Sequence, residues 1–162
     1  MKKPGVLWVE DSARLELRNL VGPLLFSNKF EFALAEDVTT AVRLLRAKPF
    51  DGVIVDIRLP PGTDPEWRKL YQQSGLDRVH AQLGLKLLYW LLTRDNSIHP
   101  EQPPDWIQPH HVGIFTVESR GEVERHLEAL GIRVFRQKVA GLRDTTLLEL
   151  IDEILTQGPS PK

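Results

Sequence analysis

Glu10 and Asp11 end the apolar run Val6 to Val9, at a point where a strand bound for the core has no need of carboxylates. Asp56 lies in a second apolar, β-branched run, Gly52 to Ile57. Thr116 lies in a third, Val112 to Val117, and Lys138 stands just beyond a fourth, Ile132 to Phe135. A carboxylate buried without a partner is costly, so Asp56 has few structural reasons to be where it is. Three carboxylates brought to one crevice repel one another unless a cation holds them or one takes up a proton. A divalent metal meets that need, and oxygen ligands without histidine or cysteine favour magnesium. Each residue also has a plainer role open to it. Asp11 and Ser12 can cap a helix, Thr116 can be an ordinary β-branched strand residue, and Lys138 can be a solvated loop lysine.

The elements between these residues alternate. After Val6–Val9, residues 12–26 place Leu17, Leu20, Val21 and Leu24 at helical spacing, with Gly22 and Pro23 expected to kink or end the helix near its last turn. Phe30, Phe32 and Leu34 alternate as a second strand, and Val38, Val42 and Leu45 mark a second helix. Asp64-Pro65 is a helix start, with Trp67, Leu70 and Tyr71 on one face and Gly75 as its stop. A longer helix is expected over about Asp77 to Thr93, then a proline-rich loop. Ser119 and Glu122 form a capping box ahead of Val123, Leu127 and Leu130, with Gly131 closing that helix, and Leu147, Ile151 and Ile154 line a last one. Strand and helix in alternation imply a parallel sheet covered by helices on both faces, with ligands at the carboxyl ends of the strands.

Composition narrows the rest. The 162 residues fit one domain, carry a net charge of -1 and contain no cysteine. No basic excess speaks for direct nucleic-acid binding, and thiol chemistry is excluded. The stretch 83–92 is interrupted by Lys86 and too short to span a membrane, so a cytoplasmic protein is expected. Trp67 and Trp106 are the tryptophans expected to be exposed. His110 and His111, if on a strand, would point to opposite faces and not share a metal.

Taken together, VLWVEDS, DGVIVDIRLPPG, IFT and VFRQK, in this order, resemble the receiver domain of two-component response regulators over about residues 4–62 and 83–156. The resemblance implies an α/β, doubly wound, five-stranded parallel sheet of flavodoxin-like order 2-1-3-4-5, spanning residues 1–157 with a loose tail at 158–162. An extra helical insertion, about 63–82, and a lengthened loop, 94–110, would interrupt it. Asp56 would be the phosphoacceptor, assisted by Thr116 and Lys138, with Thr116 and Phe135 as the switch pair. Magnesium would be held by Asp11, Asp56, the backbone carbonyl of Arg58 and, through water, Glu10. The partners implied are a histidine kinase or phosphotransfer protein upstream and a protein target downstream, with no membrane and no nucleic acid; a phosphorylation-linked dimer is compatible with the family. No turnover enzyme is expected, only magnesium-dependent self-phosphorylation and slow autodephosphorylation.

The sequence departs from the family at named positions. Val139 follows the lysine where proline is usual, and a cis bond before valine would cost about 2.5–4 kcal/mol, so a trans bond is expected. Val117 stands where a small residue is usual. Arg58 and Glu118, each two residues past its site residue, are expected to pair across the mouth of the site and hinder water. One alternative is a receiver-like binding module that takes no phosphate. A weaker one is a phosphatase of the haloacid dehalogenase type, which would need a general acid where Arg58 stands.

Overall fold

The structure, a computed structural model, describes residues 2–13, 17–73 and 82–159. Five parallel strands form one sheet in the order β2-β1-β3-β4-β5: β1 Gly5–Val9, β2 Glu31–Ala35, β3 Gly52–Val55, β4 Val112–Thr116 and β5 Val134–Gln137. Around it lie α1 Arg18–Ser27, α2 Val38–Ala47, α3 Pro65–Gln72, α4 Leu83–Thr93, α5 Arg120–Leu130 and α6 Thr146–Thr156. This is the doubly wound architecture that the alternation implies.

The period-two geometry of a strand divides the core. Leu7, Val9, Val53, Val55 and Ile114 face α2, α4 and α5, whereas Val6, Trp8, Ile54 and Phe115 face α1 and α6. With both faces covered, the strands read as continuous apolar runs rather than alternating ones. The helix starts follow local chemistry. Asp37 caps α2 by accepting the Thr40 N–H at 2.7 Å, and Ser119 and Glu122 form the reciprocal box that opens α5. Gly131, at φ 73°, closes α5 in the left-handed region that glycine adopts at no steric cost.

Several boundaries differ from those expected. Residues 14–16 lie outside the described residues, α1 begins at Arg18, and it continues through Gly22 and Pro23 to Ser27. The carbonyl that Pro23 leaves unbonded belongs to the exposed Asn19, which limits the penalty. Gly75 and most of the expected helical start near Asp77 lie outside the described residues, and α4 begins at Leu83. β5 starts two residues late because Ile132 still belongs to the α5 cap, donating its N–H to Leu127 O at 3.0 Å. Phe135 is therefore within the strand rather than at its end.

Trp67 is fully buried, contrary to the expectation of exposure. It meets Trp90 edge-on at 5.7 Å and stacks on His99 at 5.3 Å, while Asp64, the α3 cap, accepts from His99 Nε2 at 3.0 Å. α3 is thus fastened to α4 and to the loop that follows α4 by aromatic burial and a part-buried hydrogen bond. Trp106 is half-buried, its indole N–H donating to Leu45 O at 2.9 Å. His110 and His111 lie in a single 3-10 turn, Pro109–His111, with ring centroids 4.1 Å apart. The opposite-face expectation required an extended backbone, which this turn replaces.

Candidate functional site

The carboxyl ends of β1, β3, β4 and β5 converge. Glu10 follows the last residue of β1, with its backbone N–H held by Ala35 O at 2.8 Å. Asp56 follows β3, its N–H donating to Val9 O at 3.1 Å, so β1 and β3 bring the acids of both strands side by side. Carboxylate oxygens of Glu10, Asp11 and Asp56 lie within 4.8 Å of one another. Lys138 follows β5, and its N–H bonds Thr116 O at 2.7 Å, so β4 aims the lysine. Its ammonium donates to Asp56 Oδ2 at 2.8 Å and also to Glu10 Oε1.

Asp11 and Ser12 do not cap α1, whose N-cap is Leu17 without a side-chain cap bond. Asp11 is exposed and lines a cleft of about 390 Å³ with Asp56, Arg58 and Lys138. The same cleft has an apolar rim of Leu17, Val117, Val139 and Leu142. Val117 and Val139 are 45% and 55% exposed. Leu17 and Leu142 carry no sequence signal that marks them as rim residues, because their position depends on how the loops after β1 and β5 fold back. Among the described residues no peptide bond is cis, so Lys138–Val139 is trans, and the lysine reaches the acids without a cis turn.

Thr116 is fully buried at the end of β4 and lies behind the cleft rather than on its wall; its Oγ1 accepts from the Glu118 N–H at 3.5 Å. Arg58 Nε donates to Glu118 Oε1 at 2.7 Å, with Glu118 almost fully buried and Arg58 about two-fifths exposed. Arg58 N–H also points at Asp56 Oδ1, 3.3 Å away. Phe135 is half-buried on β5, with the Arg120 guanidinium 5.8 Å from its ring centroid.

Charge is unbalanced here. Burial first, and Asp56 second, push the Glu10 carboxyl up to about 8, against the opposing pull of Lys138. Burial disfavours the Lys138 ammonium, yet the Asp56 and Glu10 carboxylates outweigh it and hold its pKa above the ordinary lysine value. Three carboxylates face one ammonium, since Arg58 is engaged by Glu118. The donor set is all oxygen, closely spaced and short of positive charge, so it fits a hard divalent cation of the magnesium class.

Gly84, missed by the sequence reading, also sets the site. It lies in the first turn of α4 with its N–H on Ile57 O at 2.9 Å. A Cβ there would stand 1.8 Å from the Asp56 carbonyl oxygen. Only a residue without a side chain lets α4 approach the backbone that carries Asp56.

No protein-family model matches the chain, and no curated protein matches it. Solved structures do. The chemotaxis protein CheY4 of Vibrio cholerae superposes with a TM-score of 0.59 at 21% identity, covering 95% of this chain and all of that one. The non-phosphorylated HemR receiver domain of Leptospira biflexa gives 0.59 at 19%, covering 99% of this chain and all of its own. The receiver domain of a sensor histidine kinase from Pseudomonas aeruginosa, described with a magnesium ion coordinated in its active-site cleft, gives 0.55 at 13%, covering 96% and 100%. The chain thus has the receiver fold over nearly its whole length.

Proposed function

We propose that this chain is a response-regulator receiver that accepts a phosphoryl group on Asp56 from the phosphohistidine of a histidine kinase or phosphotransfer protein and signals through protein contacts. A carboxylate oxygen of Asp56 attacks phosphorus as the P–N bond breaks, and the departing imidazole nitrogen keeps the bonding pair and takes a proton. Lys138, already on Asp56 Oδ2 at 2.8 Å, supplies a fixed positive charge for a phosphoryl oxygen. Magnesium, held by Glu10, Asp11, Asp56 and the Arg58 carbonyl, would offset charge on the transferred group. Thr116 gives up its long contact with the Glu118 N–H to donate to the phosphate, and Phe135 turns toward the space it leaves. The Arg58–Glu118 pair stands at the mouth and limits hydrolytic water.

The observation that carries this reading is the Lys138 ammonium reaching an acid cluster assembled from separate strands. The test is incubation with acetyl phosphate and magnesium, followed by intact mass of wild type and Asp56→Asn. One added phosphoryl group on wild type and none on the variant is expected; equal labelling, or none on wild type, would refute it.

A second reading, a receiver-like module that binds partners without phosphate, is favoured by the exposed valines at the rim and by Lys138 spanning Glu10 and Asp56. Such a module would form no beryllofluoride adduct in the presence of magnesium. Arg58 stands where a haloacid dehalogenase phosphatase needs its general acid, so steady turnover of p-nitrophenyl phosphate is not expected.

A further inference from the structure

The opposite edge of the sheet holds a second cleft that the phosphoryl chemistry does not use. It has a volume of about 550 Å³ and lies at the amino ends of β1, β3 and β4, next to Gly5, Asp51 and His111. The acid cluster follows the other ends of the same strands, about 15 Å away at the rise of a β-strand. A cavity of this size suits a small organic ligand.

Its walls are of two kinds. Trp106 and His111, both partly exposed, lie 5.6 Å apart with planes tilted 58° and form an angled aromatic wall, and Phe50, only 3% exposed, backs Trp106 at 6.4 Å from within the core. The Trp106 indole N–H is bound to Leu45 O at 2.9 Å, which fixes that ring against the body of the protein. His111 Nδ1 accepts the Gln108 N–H at 3.0 Å, which leaves Nε2 as the protonated donor in the neutral ring. Burial first, then His110, lower the His111 pKa and keep the ring neutral near pH 7.

Lys2, Lys3 and Lys48 line the same cleft. Lys48 lies 5.3 Å above the Phe50 ring and 3.8 Å from Glu31, and Lys3 donates to Asn28 at 2.7 Å. Lys2 has no ion pair among the described residues. Glu31 and Asp51 are the acids that face these cations. Asp51 Oδ2 accepts the Gly5 N–H at 2.8 Å, and its other oxygen can accept from a ligand N–H or hydroxyl. Three cations against two acids leave one positive charge beside an aromatic wall.

We propose that this cleft binds a small planar aromatic anion, a ring carrying a phosphate or carboxylate, with the ring against Trp106 and His111 and the anionic group between Lys2 and Lys48. Stacking supplies affinity for any flat ring, and the lysines select for negative charge. The site is independent of the function proposed for Asp56.

The test is calorimetric titration of the full chain with adenosine monophosphate in one arm and 1-naphthoate in another, which separates a nucleotide from an aromatic carboxylate. Inorganic phosphate and neutral adenosine serve as half-ligands. Saturable one-to-one binding of at least one full probe is expected, tighter than either half-ligand and weakened about tenfold in Lys2→Gln/Lys48→Gln, whose exposed side chains can change without disturbing the core. Binding should persist in Asp56→Asn. Failure of both probes to bind, binding unchanged in the double lysine variant, or binding lost in Asp56→Asn would each overturn the assignment.

Discussion

Glu10→Gln should remove the loss of stability that Glu10 imposes on the metal-free protein as pH rises. In the unfolded chain this carboxyl titrates near its ordinary value of 4.5, and in the folded protein burial and Asp56 raise it to about 8. Between those values the folded state binds more protons than the unfolded one, so stability falls as pH rises. The contribution is fully present below 4.5 and lost as pH climbs toward 8. If fully expressed, a displacement of that size corresponds to about 5 kcal/mol. Relaxation around a buried charge lowers such penalties, so about 2–3 kcal/mol is expected. Glutamine keeps an oxygen that can accept from Lys138 but cannot ionise. The assay is urea unfolding of wild type and Glu10→Gln in chelator at pH 5, 6, 7 and 8. Wild type should lose stability relative to the variant across the series. Parallel curves would refute the reasoning, since they would mean that Glu10 is ionised throughout. Magnesium competes with the proton, so adding it to wild type at pH 7 should also release protons, measurable in weakly buffered solution.

Glu118→Ala frees Arg58 from its 2.7 Å partner and should shorten the aspartyl phosphate lifetime several-fold, followed by intact mass after desalting; an unchanged lifetime removes the gate. Gly84→Ala puts a methyl group 1.8 Å from the Asp56 carbonyl oxygen and should cost about 3 kcal/mol or more in urea unfolding, with slower phosphorylation in whatever remains folded. Trp67→Ala should lower stability by about 3–5 kcal/mol while leaving beryllofluoride binding per folded molecule intact, because its contacts are with Trp90 and His99 and not with the cleft. Loss of the adduct in a variant that still folds would tie α3 to the site.

Strand and helix alternation was legible because doubly covered parallel strands are written as short apolar runs, and the runs ending at Val9 and containing Val53 to Val55 are of that kind. The order 2-1-3-4-5 was legible only through resemblance, since apolar runs do not say which neighbour they pair with. Boundaries failed where a cap overrode the apolar pattern, as at Ile132, or where proline was tolerated, as at Pro23. Trp67 was misplaced because an aromatic in a polar helix reads as surface until a partner is known, and its partners, Trp90 and His99, are 23 and 32 residues away in sequence.

Residue types alone determined that acids stand at strand ends, that a lysine follows the last strand, and that oxygen donors suit a hard cation. Only the tertiary structure decided that the Lys138 ammonium reaches both Asp56 and Glu10, that Thr116 lies behind the cleft, that Gly84 lets α4 close on Asp56, and that aromatic rings and lysines share a second cleft at the far edge. Composition and local periodicity follow from short-range preferences of the backbone. Which side chains meet across 82 or 128 residues depends on the register and twist of packed layers, and no local pattern carries that information.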